Sequence, residues 1–245
     1  MTFSLDFKGL TTMFRTSSLV AVLALTAAAS SFAAPITPEG AFGPLPVATF
    51  GGTGIPNNAV QVTTVRGNVL GLTATPRFSG PAVANDGVGT FFALSGPSAT
   101  NVAYAGWNFG FYISPSTAAA NTGTTFQLLY DFNPAVGNDQ ATHGVVSFGA
   151  LTAVTQNSWN LGMGFLANPS TPGITVPTGS FTPFDPNAMG EYTFSLIAIG
   201  QDGFELGRSS IGVSVVPEPG TYALMLAGLG TICSLVRRRA AMTAR

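Results

Sequence analysis

The chemistry open to this chain is narrow. Its 245 residues include one histidine, His143, one cysteine, Cys233, and one lysine, Lys8. Hydrolysis by a Ser-His-Asp triad would have to use His143 as its base. His143 follows Ala141-Thr142 in a polar turn ahead of a strand and reads as a solvated turn histidine; no Gly-x-Ser-x-Gly elbow occurs anywhere in the chain. A glycosidase needs two carboxylates astride the scissile bond. The acids of the central region are Glu39, Asp86, Asp131, Asp139, Asp185, Glu191, Asp202 and Glu205; most sit in turns, and sequence alone pairs none of them. Gly162-Met163-Gly164-Phe165-Leu166-Ala167 fits a dinucleotide fingerprint by letter. It lies in an alternating apolar run with Asn168-Pro169 behind it, so no helix N-terminus follows to hold a pyrophosphate. Around the turn 131–139, Asp131, Asn133 and Asp139 offer oxygens that a Ca²⁺ ion could use. The run lacks the EF-hand pattern, and Asx residues in such turns ordinarily cap the backbone. The expectation is a non-enzyme without a resident cofactor, with Ca²⁺ at 131–139 as its one metal candidate.

Composition narrows the classes further. Charged residues make up 8% of the chain, against about 25% in ordinary domains. Hydrophobic residues make up 46% and the net charge is −1, the reverse of a disordered chain. Nine basic residues cannot form a nucleic-acid face. From Ala34 to Val216 there are three arginines against eight acids, with no lysine or cysteine. No disulfide can staple that region, so burial must hold it.

The two ends read as addresses rather than fold. Arg15 precedes the apolar run Leu19 to Ala29, and Ser31-Phe32-Ala33 follows with small residues at −3 and −1. This order is that of a secretory signal peptide cut by signal peptidase between Ala33 and Ala34. Met13 is a candidate start, with residues 1–12 as an upstream extension. At the other end, Pro217-Glu218-Pro219 is followed by the uncharged run Thr221 to Val236 and then Arg237, Arg238 and Arg239. The prolines deny the strip helix or ladder geometry. The apolar run is a short candidate membrane helix carrying Cys233 as a passive small hydrophobe, and the arginines would stay cytoplasmic.

These tail residues resemble the PEP-CTERM sorting signal of Gram-negative bacteria. The resemblance covers the last part of the chain, and its three pieces occur in order. It implies that an exosortase, a membrane-embedded cysteine transpeptidase, reads Pro217-Glu218-Pro219 and removes the helix. The precursor would be anchored in the inner membrane, and the product would join the cell surface or the extracellular polysaccharide matrix.

Between the ends, the periodicity is two. Trp107, Phe109, Phe111 and Ile113 alternate with Asn108, Gly110, Tyr112 and Ser114, and Tyr192, Phe194, Leu196 and Ala198 alternate likewise. Trp159, Leu161, Met163 and Phe165 give a third such run, and 59–65, 68–75, 88–94, 124–131, 143–152 and 207–215 give further strands. The expected fold is all-β: an antiparallel β-sandwich, Ig-like or jelly-roll-like. Gly190-Glu191-Tyr192 ahead of a late strand resembles a tyrosine corner of Ig-like sandwiches. The organisation is then 1–33 signal peptide, 34–58 Pro/Gly-rich leader that packs on a sheet edge or stays mobile, 59–216 sandwich, and 217–245 sorting signal.

The function this favours is a non-catalytic exported surface or matrix protein, associated with exopolysaccharide or biofilm. The alternative is a carbohydrate-binding module, and an extracellular hydrolase ranks third. For sugar stacking, Trp107 and Trp159 read as core, leaving Tyr104, Tyr112 and Tyr130 as the candidate exposed rings.

Overall fold

The computed structural model describes residues 36–78, 81–119, 123–179, 183–217 and 224–233. In chain order the strands are β1 (Ala41–Gly43), β2 (Val60–Val65), β3 (Asn68–Pro76), β4 (Ala84–Asn85), β5 (Thr90–Leu94), β6 (Pro97–Ser98), β7 (Asn101–Ala105), β8 (Trp107–Ser114), β9 (Thr125–Tyr130), β10 (Gly144–Ala150), β11 (Thr155–Trp159), β12 (Ile174–Thr175), β13 (Gly190–Ile199) and β14 (Glu205–Val216). They form a five-stranded sheet, β1-β2-β3-β8-β11, and a seven-stranded sheet, β12-β10-β9-β13-β14-β5-β4, with β6 and β7 as a small separate pair. The short 3₁₀ turns Gln140–Thr142 and Gly164–Ala167 interrupt the strands. The all-β expectation holds.

The two large sheets pack face to face because each turns one row of apolar side chains toward the other. Trp107, Phe109 and Phe111 alternate on β8, and all three are buried. They meet Tyr192 and Phe194 of β13: Phe109 stacks on Phe194 with centroids 4.6 Å apart, and Trp107 meets Phe194 edge-on at 6.2 Å. Phe111, Phe148, Trp159 and Phe165 extend this aromatic row toward one end. Each fully buried Phe contributes on the order of 1.5–3 kcal/mol of transfer free energy, which is how a chain without disulfides holds together.

Buried amides do the remaining cross-linking. Asn160 is fully buried; its Nδ2 donates to the Ala105 and Trp107 carbonyls, while its Oδ1 accepts from Ala105 N at 3.0 Å and Gly162 N at 3.1 Å. This clamp also corrects the third alternating run. The strand ends at Trp159, and 160–167 is a turn followed by a 3₁₀ helix. Asn160 turns the chain, and Gly162 passes so close to the Ala103 carbonyl that a Cβ would collide with it.

The sandwich is not wholly antiparallel. β14 runs parallel to β5, with Gly212 opposite Thr90 and Val216 opposite Leu94. The two strands lie far apart in sequence, so no hairpin fixes their direction. The segment before β2 joins the fold: β1 pairs with the edge of β2, and Phe50, fully buried, packs with Ala48, Val60 and Tyr112 on the outer face of the five-stranded sheet. Gln156 Oε1 holds that segment by accepting from Thr49 N and Phe50 N at 2.8 and 2.9 Å.

Candidate functional site

Three places gather the residues that could do chemistry: the β9–β10 loop, the aromatic side chains, and the end of β14.

The β9–β10 loop brings Asp131 and Asn133 together, as the sequence suggests, and adds Asn138. The Asp131 carboxylate accepts from Asn133 N at 2.7 Å and from Asn138 Nδ2 at 2.8 Å. Asn133 Oδ1 accepts from Ala135 N. Asp139 turns elsewhere, its carboxylate accepting from Ala141 N to cap the 3₁₀ turn. The oxygens considered for Ca²⁺ are therefore engaged by donors of the loop itself. Among the described residues no group of three or more His, Cys, Asp or Glu side chains is placed to hold a metal ion.

His143 is not the solvated turn histidine that its neighbours suggest. It is 4% exposed, tucked under β13. Its Nδ1 lies 3.2 Å from the Asp139 carbonyl oxygen, which can only accept, so Nδ1 carries a proton and donates. Nε2 then accepts from the Thr193 hydroxyl at 2.7 Å. Asp131 Oδ2 lies 3.8 Å from Nε2. Burial lowers the His143 pKa below its ordinary value, against the attraction of Asp131. Burial likewise raises the Asp131 carboxyl, opposed by His143 and the loop donors. The neutral imidazole fits both hydrogen bonds. Both ring nitrogens are committed inside the fold, leaving none facing a substrate.

The aromatic candidates divide unevenly. Trp107 is core, and Trp159 is half-buried against it. Tyr112 and Tyr130 are not exposed rings. Tyr112 lies under the segment before β2, and the buried Tyr130 hydroxyl donates to the Leu166 carbonyl at 2.6 Å. Tyr104 is half-buried, its ring covered by the Arg77 guanidinium at 4.4 Å. Tyr192 forms the expected corner. It is fully buried, and its hydroxyl donates to the Ala188 carbonyl four residues upstream at 3.2 Å. Gly190 makes this possible with φ +145°; a Cβ there would collide with the Pro134 carbonyl.

At the end of β14, the chain is held between β13 and β5 up to Val216, whose carbonyl accepts from Ser95 N at 2.8 Å. Pro217 follows at once. It has no N–H to continue the ladder, so pairing stops where the strip begins. Glu218, Pro219, Arg237, Arg238, Arg239 and the cleavage pair Ala33 and Ala34 lie outside the described residues. Residues 224–233 are helical and exposed throughout, with Leu224, Met225, Leu226, Leu229 and Ile232 facing out. Among the described residues no helix is long and apolar enough to cross a membrane.

A family model for the PEP-CTERM protein-sorting motif matches residues 215–240. The chain carries a PEP-CTERM sorting motif. The match begins on the last residues of β14 and runs through the arginine cluster, so the signal is joined to the sandwich without a linker. A PEP-CTERM motif implies export and membrane-associated sorting to the cell surface, with exosortase as the processing partner. No curated protein matches the chain at a significant level.

Proposed function

We propose that this PEP-CTERM protein is a non-catalytic component of the cell surface or extracellular polysaccharide matrix. On this reading a signal peptide exports it and exosortase releases it from the inner membrane. The observation that carries the reading is the sorting motif beginning directly on β14. The ladder ends at Val216, and prolines at 217 and 219 disfavour helix and ladder geometry in the Pro-Glu-Pro strip, which suits it to recognition by something outside the fold. Glu218 is its only charge. A membrane enzyme could read fixed backbone shape plus one carboxylate, while the arginine cluster sets register by resisting transfer, at a few kcal/mol per buried charge. The non-catalytic part is supported by the enclosed His143 and by the scarcity of other reactive side chains.

The test is fractionation of a tagged chain in hosts with and without exosortase. The expected outcome is a shortened, released product from the wild-type chain in the first host only, and impaired release for Glu218→Ala. Equal length and equal membrane retention of both chains in both hosts would reduce the tail to an anchor.

A further inference from the structure

The chain's charged residues are few, so each one without a partner matters. Arg208 pairs with Glu205 and also donates to Gln140 Oε1 at 2.7 Å. Arg77 has no carboxylate partner among the described residues, although acids outnumber arginines in this region. Its guanidinium carbon lies 4.6 Å from the centroid of Phe78 and 4.4 Å from that of Tyr104, so the fork is clamped between two rings. Its one hydrogen bond to a described residue is long, from Nη1 to Asn108 Oδ1 at 3.4 Å. The Nε–H is buried and makes no hydrogen bond to a described residue. Burial shifts the group downward, yet an arginine stays charged. Nε is enclosed, so a ligand meets the Nη edge, whose donors are little used; such a fixed, charged fork is suited to a planar anion, and a carboxylate matches it two-to-two.

The surroundings say what carries that carboxylate. Arg77 lines a groove of about 490 Å³ on the outer face of the five-stranded sheet, within the range of roughly 300–1,000 Å³ typical of small-molecule sites. One wall is the glycine-rich loop 50–54, and another offers Asn157 and Ser158, with Asn108 behind them bonded to Arg77, Asn160 and Ser158. Phe78 stands at the rim, 74% exposed. Phe78 and Phe50, both lining this groove, have positive φ of 56° and 47°, uncommon for bulky residues. Such strain tends to gather where a side chain must be held for a task. Among the described residues that line the groove there is no second arginine or lysine, which a phosphate would favour. Amide and hydroxyl groups beside an aromatic face suit a ring bearing hydroxyls.

We propose that this groove binds an acidic saccharide of the uronic acid class, with its carboxylate on Arg77, its hydroxyls on Asn157 and Ser158, and one ring face against Phe78. The proposal deepens the matrix reading by naming the chemistry of the matrix component. It concerns binding alone, so a failed sorting experiment leaves it standing and a failed binding experiment leaves sorting standing. The region is acid-rich, so a polyanion gains nothing from overall charge. Affinity must come from this one seat and multiply along a polymer.

The test is calorimetric titration of the full-length chain in detergent, in EDTA, with a hexauronate, with neutral cellohexaose and with acetate. The hexauronate should bind, and Arg77→Gln should weaken it by about tenfold or more, the weight of a lost charge-assisted hydrogen bond. Arg77→Lys should restore only part, because a point charge does not replace the fork. Phe78→Ala should weaken binding several-fold while leaving circular dichroism unchanged, since that ring is largely exposed; this variant decides the matter if Arg77→Gln fails to fold. Equal binding of cellohexaose, full competition by acetate at equal concentration, or wild-type affinity in both Arg77→Gln and Phe78→Ala would overturn the proposal.

Discussion

The β9–β10 loop and the groove at the end of β3 each collect polar side chains around one charged residue, and they treat that residue in opposite ways. Asp131 is enclosed at 2% exposure and accepts from the loop's own donors, with the His143 ring beside it. Arg77 is half-buried, stacked between two rings, and left with an idle Nε–H. Buried polar groups are nearly always satisfied, so a cluster that satisfies itself is explained by folding alone. A charged group left short of partners at the edge of a groove is the place to look for a partner from outside the fold. The difference separates a structural constellation from a candidate binding one more surely than residue type does: by type, the acids and the histidine look like the chemistry.

The largest expected effect follows from that contrast. Asp131→Ala should destabilise the domain by about 2 kcal/mol, because it strands the part-buried donors of Asn133 and Asn138. Arg77→Gln should cost less than about 1 kcal/mol, the scale of an exposed cation–π contact. Denaturant unfolding of the two variants measures both, and the reverse order would dissolve the comparison.

Next comes pH. The His143 value is lowered by burial in the folded state, while the unfolded chain keeps about 6.5. Below pH 6.5 the unfolded chain therefore binds the proton that the folded chain refuses, and stability falls as pH falls, by up to about 1.4 kcal/mol per unit. Asp131 acts oppositely. Its folded value is raised, so nearer its ordinary 3.8 the folded chain takes the extra proton and the decline flattens. His143 is the chain's sole histidine, so His143→Gln should remove the slope between pH 7 and about 5.5. A slope that survives in this variant would place its origin elsewhere.

On the closed side again, Tyr192→Phe should cost about 1 kcal/mol in thermal unfolding, the net worth of one buried hydrogen bond. No change would mean that the corner is packing alone.

These two regions also mark what the sequence could and could not show. Trp107 to Ile113 and Tyr192 to Ala198 were legible because a strand with one face on the core alternates by necessity. Trp159 to Phe165 alternates too, but Asn160 reaches β7 and β8 and turns the chain there. The two-residue strands β4, β6 and β12 have no internal pattern and exist only through their partners. His143 sits among Ala, Thr and Gly; its burial is decided by Thr193, fifty residues on. Tyr112 is covered by a Pro/Gly-rich segment whose Phe50 gives little sign of docking there. The tail strip was readable because sorting acts on local chain chemistry. The groove was not, because Arg77, Tyr104, Asn108 and Ser158 meet only after β3, β7, β8 and β11 are in place.

The smallest effect sharpens the open side. An exposed residue in a strand or loop usually loses about 0.5–1 kcal/mol on going from Ala to Gly, since glycine has more freedom to lose. At position 78 the sign should reverse. Phe78 has φ +56°, and left-handed backbone costs an L-residue roughly 1–2 kcal/mol that glycine escapes. Phe78→Ala keeps that cost and gives up the ring on Arg77. Phe78→Gly gives up the same ring but relieves the backbone. The difference between the two variants therefore isolates the strain from the stacking, and Phe78→Gly should be the more stable by up to about 1 kcal/mol. Both should bind the hexauronate equally poorly, because both lack the ring. If Phe78→Ala proves the more stable, the backbone at the rim is relaxed, and Phe78 is an ordinary surface aromatic rather than one held in place at a stability cost.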